Sequence, residues 1–227
     1  MARDWIRRLI RDAVFGAEDG MISTAGALTG IAAGSQSSEV VALSGLVIIA
    51  VESVSMAGGS YLSAKSHRQY LEHLLREERD QIELDPEGER REIRQMYGGR
   101  GFTPEEIAII ERRLFEDKEL LLEDMAHKEL GIIPRHFENP VENALAMGLA
   151  YMVGGSVPLL PYFLLPLKPA MVLSALAAGA ALFGIGAAKG RVVRLSWFRS
   201  GVEMLVVGTA AGLIGFLVGR LGRDLIP

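Results

Sequence analysis

The 227-residue sequence contains no cysteine, which excludes disulfide bonds and thiolate metal ligands. It has neither a GxxxxGK phosphate-binding loop nor an HExxH motif, so the signatures of ATP-driven pumps and zinc proteases are missing. No Glu-x-x-His occurs, which removes the ferritin-like di-iron signature. A net charge of −4 offers no basic surface for nucleic acid. We therefore predict neither an enzyme nor a nucleic-acid-binding protein.

Charge is nearly absent from long stretches towards both ends of the chain and is crowded in its middle. A transmembrane helix needs roughly 20 mostly apolar residues. Five stretches meet this length: 13–34, 40–62, 141–163, 170–188 and 201–221. No stretch shows the alternation typical of a β-strand. The sequence thus predicts an all-α, polytopic membrane protein with five transmembrane helices.

The charged middle of the chain predicts a water-facing helical insert between the second and third spans. We assign residues 1–65 to an amphipathic start and spans one and two, 66–138 to the insert, and 139–227 to spans three to five. Between residues 66 and 130, 18 acidic and 11 basic residues give a charge of −7. Asp85-Pro86 predicts a break between helices, and Thr103-Pro104 predicts a capped helix start.

Positive charge in the connecting segments predicts the orientation of the spans. Four arginines lie between residues 3 and 11, and Lys189, Arg191, Arg194 and Arg199 separate spans four and five. We expect these segments and the insert to face the cytoplasm. Arg220 and Arg223, at the end of span five, oppose this rule.

The glutamates of the insert are candidate metal ligands. Glu89 and Glu92 are three residues apart and share one helical face, while Glu78 and Glu129 belong to the preceding and the last insert helices. Carboxylates gathered from several helices repel each other unless a cation lies among them, and such oxygens suit Mg²⁺, Mn²⁺ and Fe²⁺. Met125 precedes Glu129 by one turn and would favour a softer ion such as Fe²⁺. The alternatives are a solvated acidic surface with salt bridges and, for Met125, core packing.

Acidic residues within the predicted spans suggest a path for an ion. Asp19 and Glu52 lie inside apolar stretches, where ionisable groups are costly and usually face a bundle interior or a water-filled path. Glu52 and Met56 are four residues apart on one face of span two. Glu18 is equally consistent with a place at the membrane interface. Because protons compete for carboxylates, ion movement would depend on pH.

Several long strings of this sequence resemble the vacuolar iron transporter (VIT) family. They are Asp19-Gly20 in span one, the segment from Ser55 to Ser66 leaving span two, Lys128-Glu129-Leu130-Gly131 ending the insert, and Gly154 to Tyr162 in span three. The resemblance covers nearly the whole chain. It implies a five-span homodimer that moves Fe²⁺, and often Mn²⁺, out of the cytosol in exchange for protons.

The resemblance also implies roles for single residues. The glutamates of the family's cytosolic metal-binding domain fall on Glu78, Glu89, Glu92 and Glu129, and a ligand methionine falls on Met125. Residues of the transport path fall on Asp19 and Met56.

The chain departs from the family pattern at two glutamates. One expected near the end of the first insert helix falls on Gln81, so Asp80 and Glu77 beside it are further candidate ligands. The family's glutamate in span two falls on Ile48, and Glu52 lies one turn closer to the methionine of that span.

We therefore predict a transporter of Fe²⁺ and Mn²⁺, with Zn²⁺ and Co²⁺ as further candidate ions and no permanently bound cofactor. Its expected partners are the ions, the lipid bilayer and a second copy of the chain, in a prokaryotic plasma membrane. The alternatives are a membrane-anchored metal sensor or buffer without transport, and a structural membrane protein with a solvated acidic face.

Overall fold

A computed structural model describes residues 2–131 and 137–225, with side chains from residue 9 onwards. These residues form helices and no strand, which confirms the all-α prediction. Two predicted features fall outside this description. They are the side chains of the arginines at positions 3, 7 and 8, and residues 132–136 of the predicted insert. The helices are α1 Ala2–Ser35, α2 Ser38–Leu84, α3 Pro86–Gly98, α4 Pro104–Phe115, α5 Lys118–Lys128, α6 Pro140–Leu159, α7 Pro161–Leu164, α8 Leu167–Val192 and α9 Trp197–Leu225.

The chain divides into two compact units, one formed by Met1–Leu62 with Pro140–Pro227 and the other by Ser63–Asn139. We call them the membrane unit and the insert. Helix α2 continues without a break from the second predicted span, which we placed at 40–62, into the insert that we began at residue 66. Gly58 and Gly59 do not interrupt it, because glycine inside a long helix lowers its stability without ending it.

Within the described residues, α2, α8 and α9 are long and apolar enough to cross a membrane. Helix α1 does not qualify because Glu18 and Asp19 interrupt its apolar stretch, and α6 begins with Glu142 and Asn143. Both helices nevertheless bury residues inside the membrane unit, including Leu28 of α1 and Tyr151 of α6. Of the polar residues just named, Asn143 is buried, whereas Glu18, Asp19 and Glu142 are half-buried.

Glycines bring the backbones of the membrane unit into contact. Gly154 of α6 lies against the backbone of Ala17 in α1, and Gly215 of α9 lies against Gly26 of α1. Glycine pairs four residues apart, such as Gly26 and Gly30, thus pack helices within one chain, as small residues do in lipid.

We expect Gly154→Ala to lower the free energy of unfolding by roughly 1–3 kcal/mol, because the added methyl group would overlap the Ala17 backbone. Thermal unfolding of the purified protein in detergent measures this. The matched control is Gly184→Ala in α8, where an added methyl group meets no atom within 4 Å. Equal stability of the two variants would contradict the close packing of α1 on α6.

The insert has its own apolar core, formed by residues of α2 to α5. Capping residues set its helix ends, as predicted. Asp85 accepts a hydrogen bond of 2.9 Å from the backbone N–H of Gly88 at the start of α3. Thr103 and Glu106 form a reciprocal capping box at the start of α4. The core itself contains Ile82, Ile93, Tyr97, Ile107, Leu114, Leu121, Leu122 and Met125.

Candidate metal sites

Two glutamates of the insert are buried without a compensating partner. Glu78 of α2 and Glu89 of α3 are each 3% exposed, and one carboxylate oxygen of each, Glu78 Oε1 and Glu89 Oε2, is buried and accepts no hydrogen bond. Buried polar atoms in native proteins are nearly always hydrogen-bonded. These two oxygens are therefore candidate positions for a cation contact.

Three of the predicted glutamates, Glu78, Glu89 and Glu129, have raised pKa values. Burial, then repulsion from Glu129, Glu89 and Glu92, raises the pKa of Glu78 to about 7. Burial, then repulsion from Glu92, Glu129 and Asp85, raises the pKa of Glu89 to about 7. The pKa of Glu129 is raised as well, first by burial and then by Glu92. Glu92 and Glu129 are exposed, whereas Glu78 and Glu89 are buried. The cluster thus has a buried floor, formed by Glu78 and Glu89, and a solvent-facing rim, formed by Glu92 and Glu129.

Mutual repulsion of this kind is relieved by a divalent cation. Across 2–131 and 137–225, however, no three acidic or histidine side chains stand in a ready metal-ligand arrangement. The carboxylates are thus near enough to interact electrostatically, and binding an ion would draw them closer together.

The other predicted insert ligands differ in their exposure. Glu77 and Asp80 are exposed, and Glu77 pairs with His73 at 3.4 Å. Met125 is fully buried in the apolar core, and its backbone carbonyl accepts a 2.8 Å hydrogen bond from the N–H of Glu129. Its role as a metal ligand stays a prediction.

A third buried glutamate, Glu111 of α4, was not singled out from the sequence and has a structural role. Arg94 donates to it from Nε (2.8 Å) and Nη2 (3.0 Å), and Arg90 donates from Nη1 (2.6 Å). The hydrogen bonds from Arg94, ahead of those from Arg90, lower the pKa of Glu111. Its charge is therefore neutralised inside the insert and needs no metal.

We expect Glu111→Gln to lower the free energy of unfolding by roughly 2 kcal/mol near pH 7 and to leave metal binding unchanged. The pKa of this carboxyl is lowered in the folded protein, so its stabilisation is fully present at neutral pH and is lost progressively as pH falls from about 4.5 through the lowered pKa of the folded state. Thermal unfolding at about pH 7 and about pH 3 measures both effects. A stability loss that is equal at the two pH values would contradict the assignment.

The membrane unit holds a second polar cluster. The Asp19 and Glu52 carboxylates lie within electrostatic range of each other. Both also interact with Tyr151 of α6, whose hydroxyl forms a 2.6 Å hydrogen bond with the Ser23 hydroxyl. Gly20 sits directly against the backbone carbonyl of Tyr151, which places Asp19 beside α6. Helices α1, α2 and α6 thus bring carboxylate and hydroxyl oxygens near one another in an apolar unit.

Tyr151 was missed in the sequence analysis. It is completely buried. A tyrosine in the middle of an apolar helix signals a buried hydroxyl that needs a partner, and this signal was available from the sequence.

Exposure differs among the predicted path residues. Asp19 and Met56 are half-buried, whereas Glu52 is exposed on the outside of the single chain. Ser55 and Gly59, which follow on the same face of α2, are exposed too.

Known proteins are similar to this sequence over nearly its whole length. Vacuolar iron transporter 1 of Arabidopsis thaliana is 29% identical over 214 residues, covering 94% of this chain and 86% of the relative. Vacuolar iron transporter 2 of Oryza sativa subsp. japonica is 32% identical over 209 residues, covering 92% and 85%. Vacuolar iron transporter cccA of Arthroderma benhamiae is 29% identical, covering 94% and 76%.

These relatives bear transporter names, in agreement with the absence of an enzymatic motif. The expected prokaryotic plasma membrane finds no support among them, since their names refer to the vacuole. The apolar helices and the family together identify an integral membrane protein. The family model described as "VIT family" matches residues 10–220, and the chain therefore belongs to the VIT family.

Proposed function

We propose that this protein transports Fe²⁺, and also Mn²⁺, out of the cytosol in exchange for protons. The observation that carries the proposal is a pair of carboxylates on apolar helices, the half-buried Asp19 and the exposed Glu52, which lie within electrostatic range of each other. Ionisable groups in such a setting are costly and usually belong to an ion path. The names of the plant and fungal relatives support iron as the ion.

In this proposal all five apolar stretches cross the membrane. Helices α1 and α6 lack an uninterrupted apolar stretch because each carries acidic and other polar residues, which line the inside of the bundle where lipid does not reach. The positive charges between α8 and α9 assign that connection and the insert to the cytoplasmic side.

We further propose that the protein acts as a homodimer. Glu52 lies near the middle of a span and is exposed in the single chain, as are Ser55 and Gly59 on the same face. A carboxylate facing hydrocarbon costs roughly 2.5–3.5 kcal/mol. A second copy packed along this stripe of small and polar residues would remove that cost.

The insert, in this proposal, binds the ion before transport. Glu78 and Glu89 supply the buried oxygens, and Glu92 and Glu129 at the rim complete the shell. Carboxylate oxygens bind Fe²⁺, Mn²⁺, Co²⁺ and Zn²⁺. The selection of one transported ion therefore depends on the residues of the transport path as well as on the insert.

Flux into proteoliposomes tests the function. We expect uptake of Fe²⁺ and Mn²⁺ that requires a proton gradient. Protons should leave the vesicle as the ions enter, so the pH of the lumen should rise during uptake. Co²⁺ and Zn²⁺ serve as comparison ions. Uptake that is independent of the proton gradient would contradict the antiport, and absence of any flux would contradict transport.

The second candidate is a membrane-anchored metal sensor or buffer. It is favoured by the two buried, partnerless oxygens of Glu78 and Glu89, which require only a bound ion. It predicts saturable metal binding without flux, so the same proteoliposomes distinguish the two functions.

A further inference from the structure

The connection between α8 and α9 carries concentrated positive charge. Lys189, Arg191, Arg194 and Arg199 lie between residues 189 and 199, a stretch without an acidic residue. All four are exposed, and none pairs within 4 Å with an acidic residue that the structure describes. Because α8 and α9 are both long and apolar enough to span a membrane, this turn lies at the level of the lipid headgroups.

The backbone conformation of Arg194 closes the C-terminus of α8, where the Leu195 N–H donates to the carbonyl of Gly190 (2.8 Å) and the Arg194 N–H donates to that of Arg191 (3.3 Å). Gln36 (φ 54°) and Arg194 (φ 58°) are the non-glycine residues with positive φ in the described part of the chain. The Gln36 amide donates to the carbonyls of Ala32 (3.3 Å) and Ala33 (3.2 Å) at the end of α1, which offsets its strain. Among the residues that the structure describes, no hydrogen bond or ion pair holds the Arg194 side chain, so its guanidinium is available to a group outside the chain. Glycine would adopt this backbone conformation without strain.

Aromatic and apolar side chains surround the charges. The rings of Phe183, Trp197 and Phe198 pack edge to face, with centres 5.8 to 6.2 Å apart. Trp197 is 46% exposed, and the Arg191 guanidinium lies 5.6 Å from its ring centre. Val192 and Leu195, between the cations, are largely exposed. Exposed tryptophan and aliphatic side chains beside arginines match the boundary between headgroups and acyl chains.

We propose that the α8–α9 turn is a binding site for an anionic phospholipid. Arg191, Arg194 and Arg199 bind its phosphate, and the exposed Val192 and Leu195 contact the upper part of its acyl chains. Charge complementarity selects an anionic over a zwitterionic lipid, since three cations meet a headgroup that carries a net negative charge. The inference depends on α8 and α9 spanning the membrane and holds whichever ion is transported.

Native mass spectrometry of the full-length protein, with phosphatidylglycerol competing against phosphatidylcholine, tests the site. Each cation near a membrane surface contributes a factor of about five to anionic-lipid affinity, so the triple variant Arg191→Gln/Arg194→Gln/Arg199→Gln should lose on the order of 100-fold preference. The matched control replaces three exposed arginines of the insert, Arg76, Arg100 and Arg112, with glutamine. This variant should keep the preference for phosphatidylglycerol over phosphatidylcholine. Undiminished preference in the first variant, or an equal loss in the control, would overturn the site.

A single substitution separates lipid binding from folding. Arg194→Gly relieves the backbone strain, so we expect a slightly raised melting temperature in lipid-free detergent together with a roughly five-fold weaker preference for phosphatidylglycerol. Inorganic phosphate at the same concentration should not displace the lipid, because it lacks acyl chains. Unchanged lipid preference in Arg194→Gly, or displacement by inorganic phosphate, would contradict a lipid site.

Discussion

Asp19→Asn should lower Fe²⁺ uptake into proteoliposomes on the order of 100-fold. Asp19 is half-buried between helices, so removing its charge leaves a dehydrated cation without a counter-charge. Loss of one partner from a buried ion pair costs roughly 3–5 kcal/mol, which corresponds to a factor of 100 or more. Glu52→Gln should act in the same direction with a smaller effect, at least about ten-fold, because Glu52 is exposed in the single chain.

The matched control is Glu39→Gln. Glu39 is an exposed carboxylate in the first turn of α2, the helix that also carries Glu52. It should leave uptake within two-fold of the unmodified protein, as an exposed charge outside the cluster contributes about 1 kcal/mol or less. Unimpaired uptake in both Asp19→Asn and Glu52→Gln would show that the ion takes another route.

Metal affinity of the insert should rise on the order of 100-fold between pH 6 and pH 8. The pKa of both Glu78 and Glu89 is raised to about 7, so each holds a proton at pH 6 that a metal ion must displace. Two carboxyls losing their protons over this interval change the competent fraction by about that factor. Titration of the full-length protein with Mn²⁺, which resists oxidation, measures the affinity at each pH.

The same groups give metal-free stability the opposite pH dependence. A carboxyl with an ordinary pKa of 4.5 when unfolded and about 7 when folded makes the native state hold more protons between these values. The free energy of unfolding therefore falls as pH rises from about 4.5 through 7, by up to about 3 kcal/mol for each group. Glu78→Gln should abolish tight Mn²⁺ binding and yet raise metal-free stability at pH 8.

Glu111→Gln supplies the contrast, because this buried glutamate is already paired with Arg90 and Arg94. It should lower stability and preserve Mn²⁺ binding. Wild-type Mn²⁺ affinity in Glu78→Gln, or metal-free stability that does not change between pH 5 and pH 8, would contradict a metal site at Glu78 and Glu89.

The local features of the fold were accessible from the sequence because they depend on neighbours in the chain. The break at Asp85-Pro86 and the capping box at Thr103 were predicted from residue types that satisfy free N–H groups at helix starts. The continuity of α2 was not predicted, since the change from apolar to charged residues suggested a boundary that the backbone does not have.

Which acidic residues are buried was harder to predict. Glu77 and Glu78 are adjacent and chemically identical, but a helix turns about 100° per residue, so they point in different directions. Packing of α2 buries Glu78, whereas Glu77 stays in water beside His73. Likewise, the spacing of Glu111 and Glu89 in the sequence does not indicate that arginine pairs with Glu111, whereas one oxygen of the buried Glu89 has no hydrogen-bond partner.

The sequence by itself determined that the chain is helical, that one acidic insert separates two groups of apolar stretches, and that a few carboxylates lie among apolar residues. These properties follow from residue types and from helical periodicity. The tertiary structure decided which polar groups come within electrostatic range of each other: the Asp19 and Glu52 carboxylates with the Tyr151 hydroxyl, and the Glu78 carboxylate with that of Glu89. The physical reason is that periodicity defines the faces of a helix, whereas the helix packed against each face decides whether a charge meets water, an arginine or another carboxylate.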